Sequence, residues 1–134
     1  MFLSSLNADT GKLIIRLGLG GLMLFHGVAK IIHPDSLNFI SGMLTANHLP
    51  AILVYGVYIG EVVAPLMVIV GYRSRIGGLL IAVNMLFALF LAHSGDLFSL
   101  TQHGGSAVEL QLFYLLTAVA VVFLGSGRLA FKQD

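Results

Sequence analysis

Four long apolar runs, at residues 12–32, 51–71, 76–93 and 107–125, leave this chain of 134 residues few folds to choose from. Each is close to the ~20 residues that cross a hydrocarbon core as a helix. In lipid every backbone polar group must find its partner inside the chain, and within a single run only a helix achieves that. The runs are long and do not alternate polar with apolar residues, so they are not barrel strands. Charged residues make up 10% of the chain, against roughly 25% in ordinary soluble domains. With a mean hydropathy of +0.96, a soluble fold of this size could not hide so much apolar surface from water. The fold class is therefore all-α, an integral membrane four-helix bundle forming one domain over residues 1–134. The first run is too long for the core of a cleavable signal peptide, and Gly20 and Gly21 sit in its middle without a cleavage context.

The basic residues set an orientation. Lys12, Arg16, Arg73, Arg75, Arg128 and Lys132 fall on one side of the four spans, and Lys30 alone falls on the other. The positive-inside rule then makes both termini and the turn between the second and third helices cytoplasmic. The two longer connections, residues 33–50 and 94–106, face outward. All five histidines lie in the outer half or the outer loops, together with Lys30, Asp35, Asp96 and Glu109. A site in this protein is expected to open on the outer face. Residues 37–46 read as a short amphipathic helix at the interface, with Phe39, Ile40, Met43 and Leu44 dipping into the headgroups.

An ionisable side chain in hydrocarbon costs about 2.5–3.5 kcal/mol or more, so each one needs a partner. Glu61 lies near the middle of the second helix, where it is either protonated or paired with a cation. His26 or Lys30 could supply that cation. His26 is about 6 Å outward of the centre of the first helix, with Lys30 about 12 Å outward on the same face. His93 and Glu109 come to about the height of Lys30. Each of the four helices thus offers a polar residue to the outer half of one bundle. Glu109 and Gln111 lie about 200° apart around their helix, so only one can face the bundle centre, and Glu109 is the expected one. Arg16 is close enough to the cytoplasmic interface to snorkel. Asn84 and Gln111 read as interhelical hydrogen-bonding residues. The aromatic residues Phe87, Phe90, Phe113 and Tyr114 read as packing.

Small residues and one proline shape the helices. Gly18, Gly20, Gly21 and Gly27 on the first helix, and Gly56 and Gly60 on the second, allow close approach of neighbours and make a homodimer conceivable. Pro65 removes the hydrogen bond to the Glu61 carbonyl and predicts a kink there.

Two classes of chemistry are excluded. A net charge of +1 does not suit nucleic-acid binding. The absence of cysteine removes any disulfide, thiolate or cluster-ligating thiol from this chain. His26 and His93 invite a bis-histidine haem reading, and His93, His103 and Glu109 a metal reading. The two histidines of the first differ in depth by about a turn and have no second pair, and His93 and His103 of the other are separated by a loop with no ligand signature.

Several stretches in order resemble the DoxX family of small membrane proteins. They are Arg16-Leu17-Gly18 through Phe25-His26-Gly27-Val28-Ala29-Lys30, then Gly60-Glu61-Val62-Val63-Ala64-Pro65-Leu66 with Gly71 and Arg75. Met85, Ala88, His93, Gly95, Gly104-Gly105 and Glu109 follow, and finally Gly125-Ser126-Gly127. The family is named for a small subunit of an archaeal terminal quinol oxidase linked to thiosulfate:quinone oxidoreductase. The resemblance implies a four-helix protein of a bacterial inner membrane in a respiratory or redox setting, with a redox-enzyme partner subunit. It supplies no catalytic residues, but its motifs fall on Arg16, His26, Lys30, Glu61, His93 and Glu109.

The leading expectation is an outward-opening polar pocket for a quinone-like ligand. In it Glu61 and His26 exchange protons with the ligand or orient it, Lys30, His93 and Glu109 form the mouth, and Arg16 is a further expected ligand-binding residue. The alternatives are a non-catalytic, partner-binding subunit whose polar cluster fixes helix register, and a small transporter or metal-handling protein using the outer histidines.

Overall fold

The structure, a computed structural model, describes residues 2–134. Among the described residues five main helical segments follow one another, α1 (Phe2–Ile32), α2 (Ser36–Ala46), α3 (Ala51–Val70), α4 (Ser74–Ala92) and α5 (Glu109–Leu124), with a 3-10 turn at Ser94–Asp96 between the last two. There is no strand among the described residues. Three segments are long and apolar enough to cross a membrane, namely Asn7–Ile32 within α1, α3 and α4. The fourth expected span is shorter than its sequence run. α5 begins only at Glu109, after a turn in which the Ser106 carbonyl and hydroxyl accept from Glu109 N and Val108 N. It stops at Gly125, whose φ of 73° no helix continues.

The bundle is built inside out for lipid. Met23, Val68, Ile81 and Val121 are fully buried and fill the centre. Phe25, Phe113, Leu116 and Phe123 lie on the outside, each more than half exposed. Water would penalise that surface, and a bilayer does not.

α1 starts ten residues earlier than the apolar run alone indicates. Its first turns mix polar and apolar residues, and the C-terminal segment bonds this stretch at Asp9. Asp9 is buried and accepts a hydrogen bond from Arg128 N at 3.1 Å, with the Arg128 side chain 3.8 Å away. The same segment lies beside the end of α3, where Phe131 N donates to Val70 O and Lys132 N to Gly71 O. The six basic residues on one side of the spans therefore gather at the termini end of the bundle.

α3 is not a plain kinked helix. It opens with a 3-10 turn at Ala51–Tyr55 and carries a π-helical turn at Ile59–Val63, directly before Pro65. Proline has no N–H to give the carbonyl four residues back, and the wider turn absorbs that mismatch. Gly27 and Gly20 let α1 pass close to this stretch. A Cβ on Gly27 would collide with the Glu61 carbonyl, and one on Gly20 would come within 2.8 Å of the Pro65 carbonyl. Gly18 and Gly21 face open space instead. Gly71, with φ 76°, ends α3 and turns the chain into α4.

α2 departs from the expected interfacial helix. It turns Leu37 and Leu44 into the protein, against Val54, Leu91 and their neighbours, and leaves Phe39 69% exposed. Leu44, expected among the headgroups, is thus an inward residue, and α2 packs on α3 and α4 through one face while Phe39 stays on the outside.

Candidate functional site

Glu61 stands in the π-helical turn and is 6% exposed. Two neighbouring helices supply its partners. Lys30, in the last turn of α1, brings its Nζ to 2.5 Å from Glu61 Oε1. Asn84 of α4 donates from Nδ2 to Glu61 Oε2 at 3.1 Å. Gly60 makes room for Asn84, because a Cβ there would lie 2.5 Å from the Asn84 Cβ. Tyr58 OH donates to the Lys30 carbonyl at 3.4 Å and ties the end of α1 to α3. Of the two cations the sequence offers to Glu61, the structure pairs it with Lys30.

The pair forms one wall of a cavity of about 130 Å³. His26, Gln111 and Tyr114 complete its polar lining, and Met23 and Met85 its apolar floor. His26 is exposed at the lip, its ring edge-on to Tyr114 with centroids 5.8 Å apart. Such a volume is well below the roughly 300–1,000 Å³ of sites for larger ligands. It has room for about one small ring, and His93 is not among its lining residues, so it does not bring His26 and His93 together.

The other residues singled out from the sequence lie elsewhere. His93 is half-buried at the end of α4 and meets Gln111, Nε2 to Nε2, at 3.3 Å, without lining the cavity. Glu109 is exposed, its carboxylate beside Gly105 in the loop, and the residue of α5 that faces the bundle is Gln111. The reason is register. Tyr114, Ala118 and Val121 are the buried stripe of α5, and Gln111 continues that stripe one turn back. That stripe is legible in the sequence, as is the hydrogen-bonding role of Asn84. The choice of Asn84 as the partner of Glu61 is not. Among the described residues no three His, Asp or Glu side chains come together as a metal would require.

Arg16 is at the opposite end, and it does not snorkel. It is 1% exposed. Nε donates to Val68 O at 2.9 Å, Nη2 to Ile69 O at 3.1 Å, and Nη1 to Ser126 O and Leu129 O at 2.9 and 2.7 Å. Val68 and Ile69 belong to the last turn of α3, where carbonyls lack helical partners and the helix dipole is negative. Arg16 thus joins α1, α3 and the C-terminal segment, and contributes nothing to the cavity.

This arrangement defines a multi-pass helical membrane protein with a part-buried lysine–glutamate pair between two of its helices. The sequence model of the DoxX family matches residues 11–94, and the chain belongs to that family. An uncharacterized protein of Haemophilus influenzae is 32% identical over 120 residues, covering 87% of this chain and 84% of its own length. No solved structure matches the chain.

Proposed function

We propose that the cavity at the Lys30–Glu61 pair receives the head of a quinone-like ligand, and that the protein serves as a small subunit or accessory of a membrane oxidoreductase system. The observation that carries this reading is the cavity itself: a buried carboxylate, an ammonium, an imidazole, an amide and a phenol around space for one ring. Lys30 and Gln111 would donate hydrogen bonds to ligand carbonyls, and Glu61 and His26 would exchange protons with their oxygens. The partner subunit would supply electrons, and this chain the binding and the protons. The excess of basic residues at the termini end supports a bacterial inner-membrane orientation with both termini cytoplasmic and the cavity in the outer half.

Decylubiquinone binding to the protein in lipid nanodiscs tests the reading, with native mass spectrometry of gently extracted protein beside it. Saturable binding in the wild type, lost in well-folded Glu61→Gln and His26→Ala variants, is the expected result. Normal binding by a well-folded Glu61→Gln variant would reject it.

A second reading has its own observation. Lys30 and Asn84 together bond both oxygens of Glu61, as a device that sets helix register would. On that reading the protein is a non-catalytic, partner-binding subunit. Extraction would then yield a stoichiometric protein partner and no small molecule.

A further inference from the structure

The most exposed large apolar side chain among the described residues is Phe98, at 98%, in the connection between α4 and α5. Leu97 and Leu100 beside it are 39% and 72% exposed. The connection is compact. Ala107 N donates to Ser99 O at 3.0 Å and Thr101 N to Gly105 O at 2.6 Å, and Gly104, with φ 86°, turns the chain back. The polar residues Thr101, Gln102 and His103 make up that turn, so apolar and polar residues are segregated along the connection.

The helix that follows is too short to span by itself. α5 has 16 residues, about 24 Å at 1.5 Å per residue, against a hydrocarbon core of about 30 Å. Its far end is fixed by water, because the segment after Gly125 carries the exposed charges Arg128 and Lys132. The missing length of about 6 Å therefore falls at the Glu109 end, where the connection lies.

We propose that the connection between α4 and α5 is a membrane anchor. Leu97, Phe98 and Leu100 enter the acyl chains of the leaflet away from the termini, and the turn at Thr101–His103 rests among the headgroups. Three observations carry it. The length that α5 lacks matches the roughly 5–10 Å by which interfacial segments sink their apolar face. Water would penalise a fully exposed phenylalanine flanked by two leucines, and acyl chains do not. The bilayer face of α5 begins just after the connection, with Leu110 and Phe113 both more than half exposed in its first turns. Lipid is thus the neighbour already present at that end of the helix. Such an anchor is independent of what the cavity binds. It holds the start of α5, and with it Gln111, at a fixed depth beside that cavity.

The chain has no tryptophan, so a single introduced one is read without background. Phe98→Trp and Leu100→Trp are placed in nanodiscs of phosphatidylcholine brominated along its acyl chains. Phe113→Trp on the bilayer face of α5 and His103→Trp at the turn serve as references. Bromine should quench the first two about as strongly as Phe113→Trp, and aqueous iodide should reach them severalfold less well than His103→Trp. Iodide quenching equal to that of His103→Trp, with no effect of bromine, would put the patch in water and overturn the anchor. Shielding from both quenchers would mean that protein covers the patch, a second copy of this chain being the candidate in such nanodiscs, and would overturn it equally. Photolabelling of the unsubstituted protein with a lipid-soluble diazirine guards against a loop displaced by the reporters. Label on residues 97–100 is expected, and its absence there, with label present on Phe113, would overturn the anchor.

Discussion

Arg16 sits midway along α1 and Lys30 in its last turn, and both carry a positive charge into a protein that has little use for charge. Arg16 is enclosed and takes four backbone carbonyls from α3 and the C-terminal segment. Lys30 takes one carboxylate, which is itself shared with Asn84, and borders open cavities on both sides. A guanidinium has five donors in a fixed fork, and carbonyls cannot be moved away once helices are packed. The Arg16 end is therefore a lock. An ammonium with spare donors beside empty space can accept a newcomer, so the Lys30 end is where binding can occur. Burial alone does not separate the two. The kind of partner and the room around it do.

The largest expected effect tests the lock. Arg16→Leu leaves four carbonyls without their donor and loosens the C-terminal segment, and it should lower stability by about 3–5 kcal/mol, read from thermal unfolding in mild detergent. Arg16→Lys should recover little of this, because one ammonium cannot span four acceptors held in that fork. Full recovery by lysine would mean that charge matters here and geometry does not.

The pair should respond in a different way. Glu61→Gln strands the Lys30 ammonium and should cost about 2–3 kcal/mol. Adding Lys30→Met removes the stranded charge and should restore most of the stability, although ligand binding stays lost. Arg16 has no such compensating change, since its partners are backbone. If the double variant is as unstable as the single one, the contrast between the two ends fails.

The crossing of α1 over α3 comes next in size. Gly27→Ala pushes a methyl into the Glu61 carbonyl and should cost about 1–2 kcal/mol while disturbing the pair. Gly18→Ala meets nothing and should leave the unfolding temperature where it is. The smallest effect distinguishes two neighbours on α5. Gln111→Leu should weaken decylubiquinone binding severalfold with little change in stability, and Glu109→Gln should change neither. The reverse outcome would restore Glu109 to the site.

Much of this architecture is legible in the amino-acid sequence. The apolar runs at 51–71 and 76–93 correspond closely to α3 and α4, because hydropathy reads the solvent and the solvent sets helix length. The burial penalty on charge picks out Glu61, His26 and Lys30, which the structure gathers around one cavity. The misplaced residues have a common cause. Depth and charge make Arg16 a snorkelling residue and Glu109 an inward-facing one, because neither quantity contains what stands opposite. The mixed polar and apolar start of α1 gives no apolar signal, since Asp9 is satisfied by Arg128, far along the chain.

The sequence by itself determined that the chain lives in lipid, that its long apolar segments are helices, that basic residues collect at one end, and that Glu61 needs a partner. Each follows from transfer free energies acting on single residues or local runs. Only the tertiary structure decided that Lys30 and Asn84 are the partners, that Gln111 rather than Glu109 looks inward, and that Arg16 is a buried clamp. It alone turned Leu44 of α2 inward, against α3 and α4. Those outcomes depend on helix register and crossing, which glycines such as Gly27 and the π-helical turn before Pro65 set through contacts between residues far apart in the chain.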